Sequence, residues 1–132
     1  MIVFVDTSGI LSVMNTDDQY HTAGAALWYQ WIKERPQLIT SNYVILETVS
    51  LLQRRMGMDA VRSFHQHISP VIQVKWITAE IHQASVVALL TANRRHLSLV
   101  DCTSFEIMRD SDLHSVFTFD RHFGEQGFMC LP

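Results

Sequence analysis

Four carboxylates stand where the chain could put them to chemical use: Asp6, Glu47, Asp101 and Asp120. Asp6 ends the apolar run Ile2-Val-Phe-Val5, and Asp120 ends His114-Ser-Val-Phe-Thr-Phe119, so each follows a predicted strand. Ligands of open parallel sheets bind beyond the carboxyl ends of the strands, and both acids should emerge at that edge. Either Asp also has a simpler reading as a helix cap. Glu47 shares its helical face with Tyr43, Val44 and Leu51. No Lys lies within a turn of it and Arg54 is two turns on, so burial there would be costly unless a partner is found. A salt bridge to a distant Arg is the structural alternative. Asp101 follows Ser98 by three residues in Ser-Leu-Val-Asp, the pattern of a capping box.

Brought within about 4 Å of one another, two such acids repel by roughly 4 kcal/mol at a surface-like dielectric. A pocket of four therefore calls for a cation. Donors that are all oxygen favour a hard ion, Mg²⁺ or Mn²⁺, over zinc. Such ions bind phosphate oxygens and acidify water, which makes phosphodiester hydrolysis the natural chemistry. Ser8 and Thr103, each two residues past an acid, could orient water or a phosphate oxygen, with local capping as the alternative.

The elements that must position these groups alternate between strand and helix. The strand Ile2 to Val5 has no polar alternation, as expected for burial on both faces of a parallel sheet. A short helix is predicted over Ile10 to Met14, a turn over Asn15 to Asp18, and a longer helix from about Gln19 to Glu34 with Ala23, Leu27 and Trp31 along one stripe. Leu38 to Thr40 is a short strand, and Asn42 is placed to cap a helix from Tyr43 to Met56 that Gly57 closes. A helix from Asp59 runs to Ile68, ahead of Pro70. Val71 to Ile77 is the third strand, Thr78 caps a helix through Ala92, and Arg94-Arg-His96 forms a basic loop. A helix surrounds Asp101 to Arg109, His114 to Phe119 is the fourth strand, and Gly127 to Leu131 offers a fifth. This order predicts an α/β fold of three layers, α/β/α, with a small, mainly parallel sheet of four to five strands.

Composition narrows the function classes. The 132 residues make one domain, 1–132, with 48% apolar residues to fill its core, which excludes intrinsic disorder. Thirteen acids against ten basic residues give a net charge of −3, so the chain has no global positive field for coating a polyanion. Two cysteines, Cys102 and Cys130, fit a reducing cytoplasm better than a disulfide framework. The first residues lack a basic leader and Glu47 interrupts the most apolar stretch, Tyr43 to Leu52, so neither a signal peptide nor a membrane span is expected.

In these features the chain resembles PIN-domain ribonucleases, particularly the VapC-type toxins of toxin–antitoxin pairs. The resemblance rests on the strand leading into Asp6-Thr-Ser8, on Asn42-Tyr-Val-Ile-Leu-Glu47, on Leu97-Ser-Leu-Val-Asp101 with Thr103, and on Phe117-Thr-Phe-Asp-Arg-His-Phe123. It implies a divalent-metal-dependent endoribonuclease acting on RNA, with Asp6 and Asp101 as principal ligands and Glu47 and Asp120 completing the shell. It also implies a homodimer inhibited by a small antitoxin. Cys102 and Phe105-Glu-Ile-Met-Arg109 depart from the small, alanine-rich helix common in that family.

Eight of the ten basic residues are Arg, whose fork suits phosphate, and Arg94 and Arg95 lie near the acidic segments of the second half. Arg54 and Arg55 read equally well as a solvated helix face. His65 and His67 are two apart in a helical pattern and point apart, which argues against zinc; His122 beside Asp120 is expected at the surface or assisting substrate. Two other classes compete: a receiver-type phosphate-signalling domain and a non-catalytic binding module. The first needs an acid after a central strand and a late Lys, and no Lys follows Lys75.

Overall fold

The computed structural model describes residues 1–132. Five strands form one sheet: β1 (Ile2–Val5), β2 (Gln37–Ser41), β3 (Ile72–Lys75), β4 (Ser115–Phe117) and β5 (Met129–Leu131). Their order is β3-β2-β1-β4-β5 and every neighbouring pair is parallel. The chain builds outward from β1 to β3 on one side, then returns to add β4 and β5 on the other. Strand order therefore reverses between β1 and β4, where a crevice opens at the carboxyl edge. Asp6 and Asp120 stand on its two walls, as the sequence predicts.

The helices are α1 (Thr7–Met14), α2 (His21–Glu34), α3 (Asn42–Met56), α4 (Met58–Ser63), α5 (Ala79–Ala92), α6 (Leu99–Asp110) and α7 (Arg121–Glu125). Val3, Phe4 and Val5 are fully buried, as are Val116 and Phe117 beside them, which is how a central strand pair covered on both faces must read.

Several boundaries differ from the sequence reading for identifiable reasons. α1 starts at Thr7 rather than Ile10, because the Asp6 side chain accepts from the Ser8 amide and starts the helix at once. The third strand shrinks from seven residues to four, and Trp76, which reads as a strand residue, is exposed. The helix beyond Asp59 is not regular: α4 passes into a π-helical turn at Phe64–Ile68 and a 3₁₀ turn at Ser69–Val71. The α2 stripe holds only in part, since Trp31 is buried whereas Ala23 and Ile32 are exposed. Ser41, not Asn42, caps α3 by accepting from the Val44 amide; Asn42 instead accepts from the Ile77 amide and anchors the loop into α5. α7 was not predicted, and the fourth strand stops at Phe117.

That early stop matters to the site. Gly9 on α1 lies so close to β4 that a Cβ there would sit 2.6 Å from the Phe117 carbonyl oxygen and 2.9 Å from its ring. Only glycine permits this approach, which sets the start of α1 against the residues after β4. We expect Gly9→Ala to lower stability by about 1–3 kcal/mol through overpacking. Urea unfolding checks this; a midpoint equal to that of the wild type would show that α1 has slack at the seam.

Candidate active site

Asp6, Glu47, Asp101 and Asp120 line a single cleft of about 260 Å³, shared with Thr7, Ser8, Ser98 and Arg55. The fold thus brings all four carboxylates singled out in the sequence to one cleft, but of these only Asp101 and Asp120, together with His122, form a group with ligand atoms all within 4.8 Å of one another. A larger groove of about 450 Å³, lined by Trp28, Trp31, Ile32, Arg35, Pro36, Leu38 and Val71, contains no acid and offers no comparable chemistry.

Asp6 is the most buried of the four, at 4% exposure. Its amide donates to the Phe117 carbonyl at 3.1 Å, continuing the β1–β4 pairing by one step. Its Oδ2 accepts from the Ser8 hydroxyl and from the Thr118 hydroxyl, each at 2.9 Å. Those hydroxyls are themselves held. Ser8 Oγ accepts from the Phe119 amide at 2.9 Å and Thr118 Oγ1 from the Asp120 amide at 3.0 Å. Each hydroxyl has one proton, so when Asp6 is ionised both protons point at Oδ2 and leave Oδ1 without a hydrogen-bond partner. Thr118 thereby links two of the acids, a role the sequence reading missed; the signal was a hydroxyl residue between two Phe at a strand end.

Glu47 is half-buried on α3. The helix is tied to α1 by the Thr48 hydroxyl, which donates to Thr7 Oγ1 at 3.1 Å. Asp101 forms the full capping box with Ser98: its Oδ2 accepts from the Ser98 amide and Ser98 Oγ accepts from the Asp101 amide, each at 3.0 Å. Asp120 caps α7, accepting from the His122 amide at 2.9 Å. Asp6, Asp101 and Asp120 therefore each cap a helix and line the cleft at once.

The electrostatics follow from this crowding. Burial pushes Asp6 up to about 7, against the pull of the Ser8 and Thr118 hydrogen bonds, and Asp101 and Glu47 push it the same way. Glu47 is raised by burial and then by Asp101 and Asp120, with Thr7 opposing. Asp101 is raised by burial and by Asp120, while the Ser98 hydrogen bonds and His122 counteract. No Lys or Arg enters any of these balances, and only His122, at Asp101, opposes the mutual repulsion of the acids with a basic side chain.

The supporting residues fare differently. Ser8 holds Asp6, as described. Thr103 is fully buried and its hydroxyl donates to the Val100 carbonyl at 2.8 Å, which is the local back-bonding alternative. Arg94 pairs with Glu125 at 2.9 Å, and neither it nor Arg95 lines the cleft. Arg55 does, although in sequence it reads equally well as part of a solvated helix face. His122 is buried rather than at the surface, and its ligand atom lies with those of Asp101 and Asp120 within 4.8 Å of one another. The donor set is therefore not all oxygen. His65 and His67 are exposed and take no part. The receiver reading is left without its late Lys, since no Lys follows Lys75, although the central strand β1 does lead directly into an acid, Asp6.

These donors fit a divalent cation. Carboxylates whose protons are held on by burial and mutual repulsion are those a cation would displace.

Comparison with known proteins gives the chain's family and fold. The PIN domain model matches residues 3–129. The 23S rRNA-specific endonuclease VapC20 of Mycobacterium tuberculosis is 34% identical over 129 residues, covering 97% of this chain and 96% of the relative. The crystal structure of VapC20, described as a Sarcin-Ricin loop cleaving toxin, superposes with a TM-score of 0.83 at 35% identity, covering 98% of this chain and 97% of that one. FitAcB from Neisseria gonorrhoeae shares the fold at 18% identity, with a TM-score of 0.68 over 100% of this chain and 97% of that one.

Raised acid pKa values make the cation-free protein pH-sensitive. Below about pH 4 both folded and unfolded chains hold the Asp6 proton. Between about 4 and 7 only the folded chain keeps it, so stability falls as pH rises through that window. Glu47 and Asp101 act in the same direction. The expected loss is on the order of 3 kcal/mol. Thermal unfolding in chelator should give a lower midpoint at pH 8 than at pH 5, and Asp6→Asn should flatten the slope. A wild-type midpoint that rises over this range would contradict the assigned burial.

Proposed function

The chain belongs to the PIN-domain family, and from that premise we propose that it is a divalent-metal-dependent endoribonuclease, the toxin of a type II toxin–antitoxin pair. The observation that carries the reading is one cleft lined by four carboxylates, three of them raised by burial and by neighbouring acids with no Lys or Arg in the balance. It is supported by 34% identity, over nearly the whole chain, to a protein named as an rRNA endonuclease.

Asp6, Glu47, Asp101 and Asp120 would hold the cation, Mg²⁺ or Mn²⁺. When bound, a divalent cation supplies a Lewis acid to phosphodiester oxygens and acidifies water. The chain's own residues arrange the rest. Ser8 and Thr118 fix Asp6 on one oxygen and keep the other free for the cleft. Asp6, pushed up to about 7 by burial, holds a proton that a bound cation would displace, and Glu47 and Asp101 are raised in the same direction by burial and by their acidic neighbours. Arg55, at the cleft wall, presents a guanidinium to an RNA phosphate.

A small antitoxin and a second copy of the chain are the partners in this reading. Leu46, Trp76, Val87 and Leu90 are 63–74% exposed, large apolar side chains that such contacts would cover. No helix is long and apolar enough to cross a membrane, and the reading places the chain in the cytoplasm.

Purified protein should cut RNA in Mg²⁺ or Mn²⁺ and not in chelator, and Asp6→Asn or Asp101→Asn should remove the activity. Undiminished cleavage by both variants would refute the assignment. Thr118→Val should lower the cleavage rate about 10- to 100-fold while Thr118→Ser retains it, since only the hydroxyl holds Asp6. Equal rates for the two would deny Thr118 its positioning role. Arg55→Ala should weaken RNA binding and reduce its salt slope by about one; an unchanged slope would return Arg55 to the solvated surface.

A further inference from the structure

The mechanism above leaves His122 without a task. Its side chain is nine-tenths buried behind Asp120, and Nδ1 is the one buried side-chain polar atom in the protein that makes no hydrogen bond. Nδ1 does lie 2.9 Å from Asp120 Oδ1, but off the angle at which a ring N–H would donate. Oδ1 is already engaged by the His122 amide. A buried ring nitrogen beside two carboxylates, with its lone pair or proton unmatched, is a costly arrangement unless something else fills the gap.

The spacing suggests what does. Adjacent ligands on an ion with bonds of about 2.1 Å lie about 3 Å apart, and opposite ligands about 4.2 Å apart. The Nδ1 to Oδ1 separation matches an adjacent pair, and one ligand atom each from Asp101, Asp120 and His122 fits within 4.8 Å, so only a small closing movement is needed. The chemistry sharpens the point. Mg²⁺ takes oxygen donors, whereas imidazole raises affinity for transition ions.

We propose that His122 is a nitrogen ligand of the cation in this cleft and biases the site toward Mn²⁺ over Mg²⁺. The inference rests on the metal-dependent reading above and adds the residue that sets which ion is preferred. In this role Nδ1, the nitrogen facing Asp120, is the coordinating atom. No other histidine belongs to the cluster, so a nitrogen signal at the ion has a single source.

The test is pulsed EPR on wild-type protein loaded with Mn²⁺, together with calorimetric titration of Mn²⁺ and Mg²⁺ into wild type and His122→Phe. A ¹⁴N coupling at Mn²⁺ is expected in the wild type and absent from the variant. The ratio of Mn²⁺ to Mg²⁺ affinity should fall about tenfold in His122→Phe. Mn²⁺ that binds, is lost in Asp101→Asn, and yet shows no nitrogen coupling in the wild type would overturn the proposal while leaving the nuclease reading intact. An unchanged affinity ratio in a folded variant would do the same. Failure of the wild type to bind either ion would overturn both. The wild-type spectrum decides the matter even if His122→Phe does not fold.

Discussion

The seam between β1 and β4 holds an ionisable group against the preference of water, and much of the surrounding structure exists to make that tolerable. Asp6 is 4% exposed, and its burial outweighs two hydroxyl hydrogen bonds in setting its proton affinity. Ser8 comes from the first turn of α1 and Thr118 from the end of β4, so the clamp forms only when helix and strand are docked. The close approach at Gly9 supplies that docking. A displacement of α1 by the width of a methyl group would separate the two hydroxyls from the carboxylate they share, and the cost of burying Asp6 would then stand uncompensated.

Capping and the proposed cation site draw on the same residues. Asp6, Asp101 and Asp120 each spend one oxygen on a backbone amide at a helix start. A cap requires a carboxylate at the end of a strand or loop, facing the first turn, and the carboxyl edge of a parallel sheet is where those turns gather. Three helix N-termini converge on one cleft, and their free amides and dipoles favour the negative charge that four clustered acids bring. The helix starts thus ease a repulsion that would otherwise spread the acids apart, and they leave the remaining carboxylate oxygens available to a ligand.

How much of this was legible in sequence depended on the range of the interaction. Asp6 and Asp120 were found because a strand-ending acid is a local pattern, and the capping box at Ser98 and Asp101 is more local still. Glu47 was found because an acid on an apolar helical face contradicts its neighbours. Thr118, Arg55 and His122 were not given their roles, since each depends on contacts between distant segments: Thr118 meets Asp6 across 112 residues. His122 was misplaced at the surface because α7 is only five residues long and its periodicity is too short to show a buried face. The third strand was overdrawn for the opposite reason. Val71 to Ile77 has β-favouring residues throughout, but pairing with β2 ends at Lys75 and leaves Trp76 in solvent.

The net charge of −3 looks at first like an obstacle to handling RNA, and the arrangement of charge resolves it. Four of the thirteen acids sit in the cleft, and a protonated Asp6 already lowers the charge there before any cation arrives. A divalent ion then reverses the local sign at the point where a phosphate would approach. Outside the cleft, Arg94 is occupied by Glu125, and Arg62 by Asp59. Arg55 comes from the last turn of α3, where the carbonyl end of the helix favours a cation, and it reaches the cleft wall. On the proposed function, a phosphate would gain most where a held ion and Arg55 meet, so the charges that bind the backbone would also select where along it the chemistry occurs.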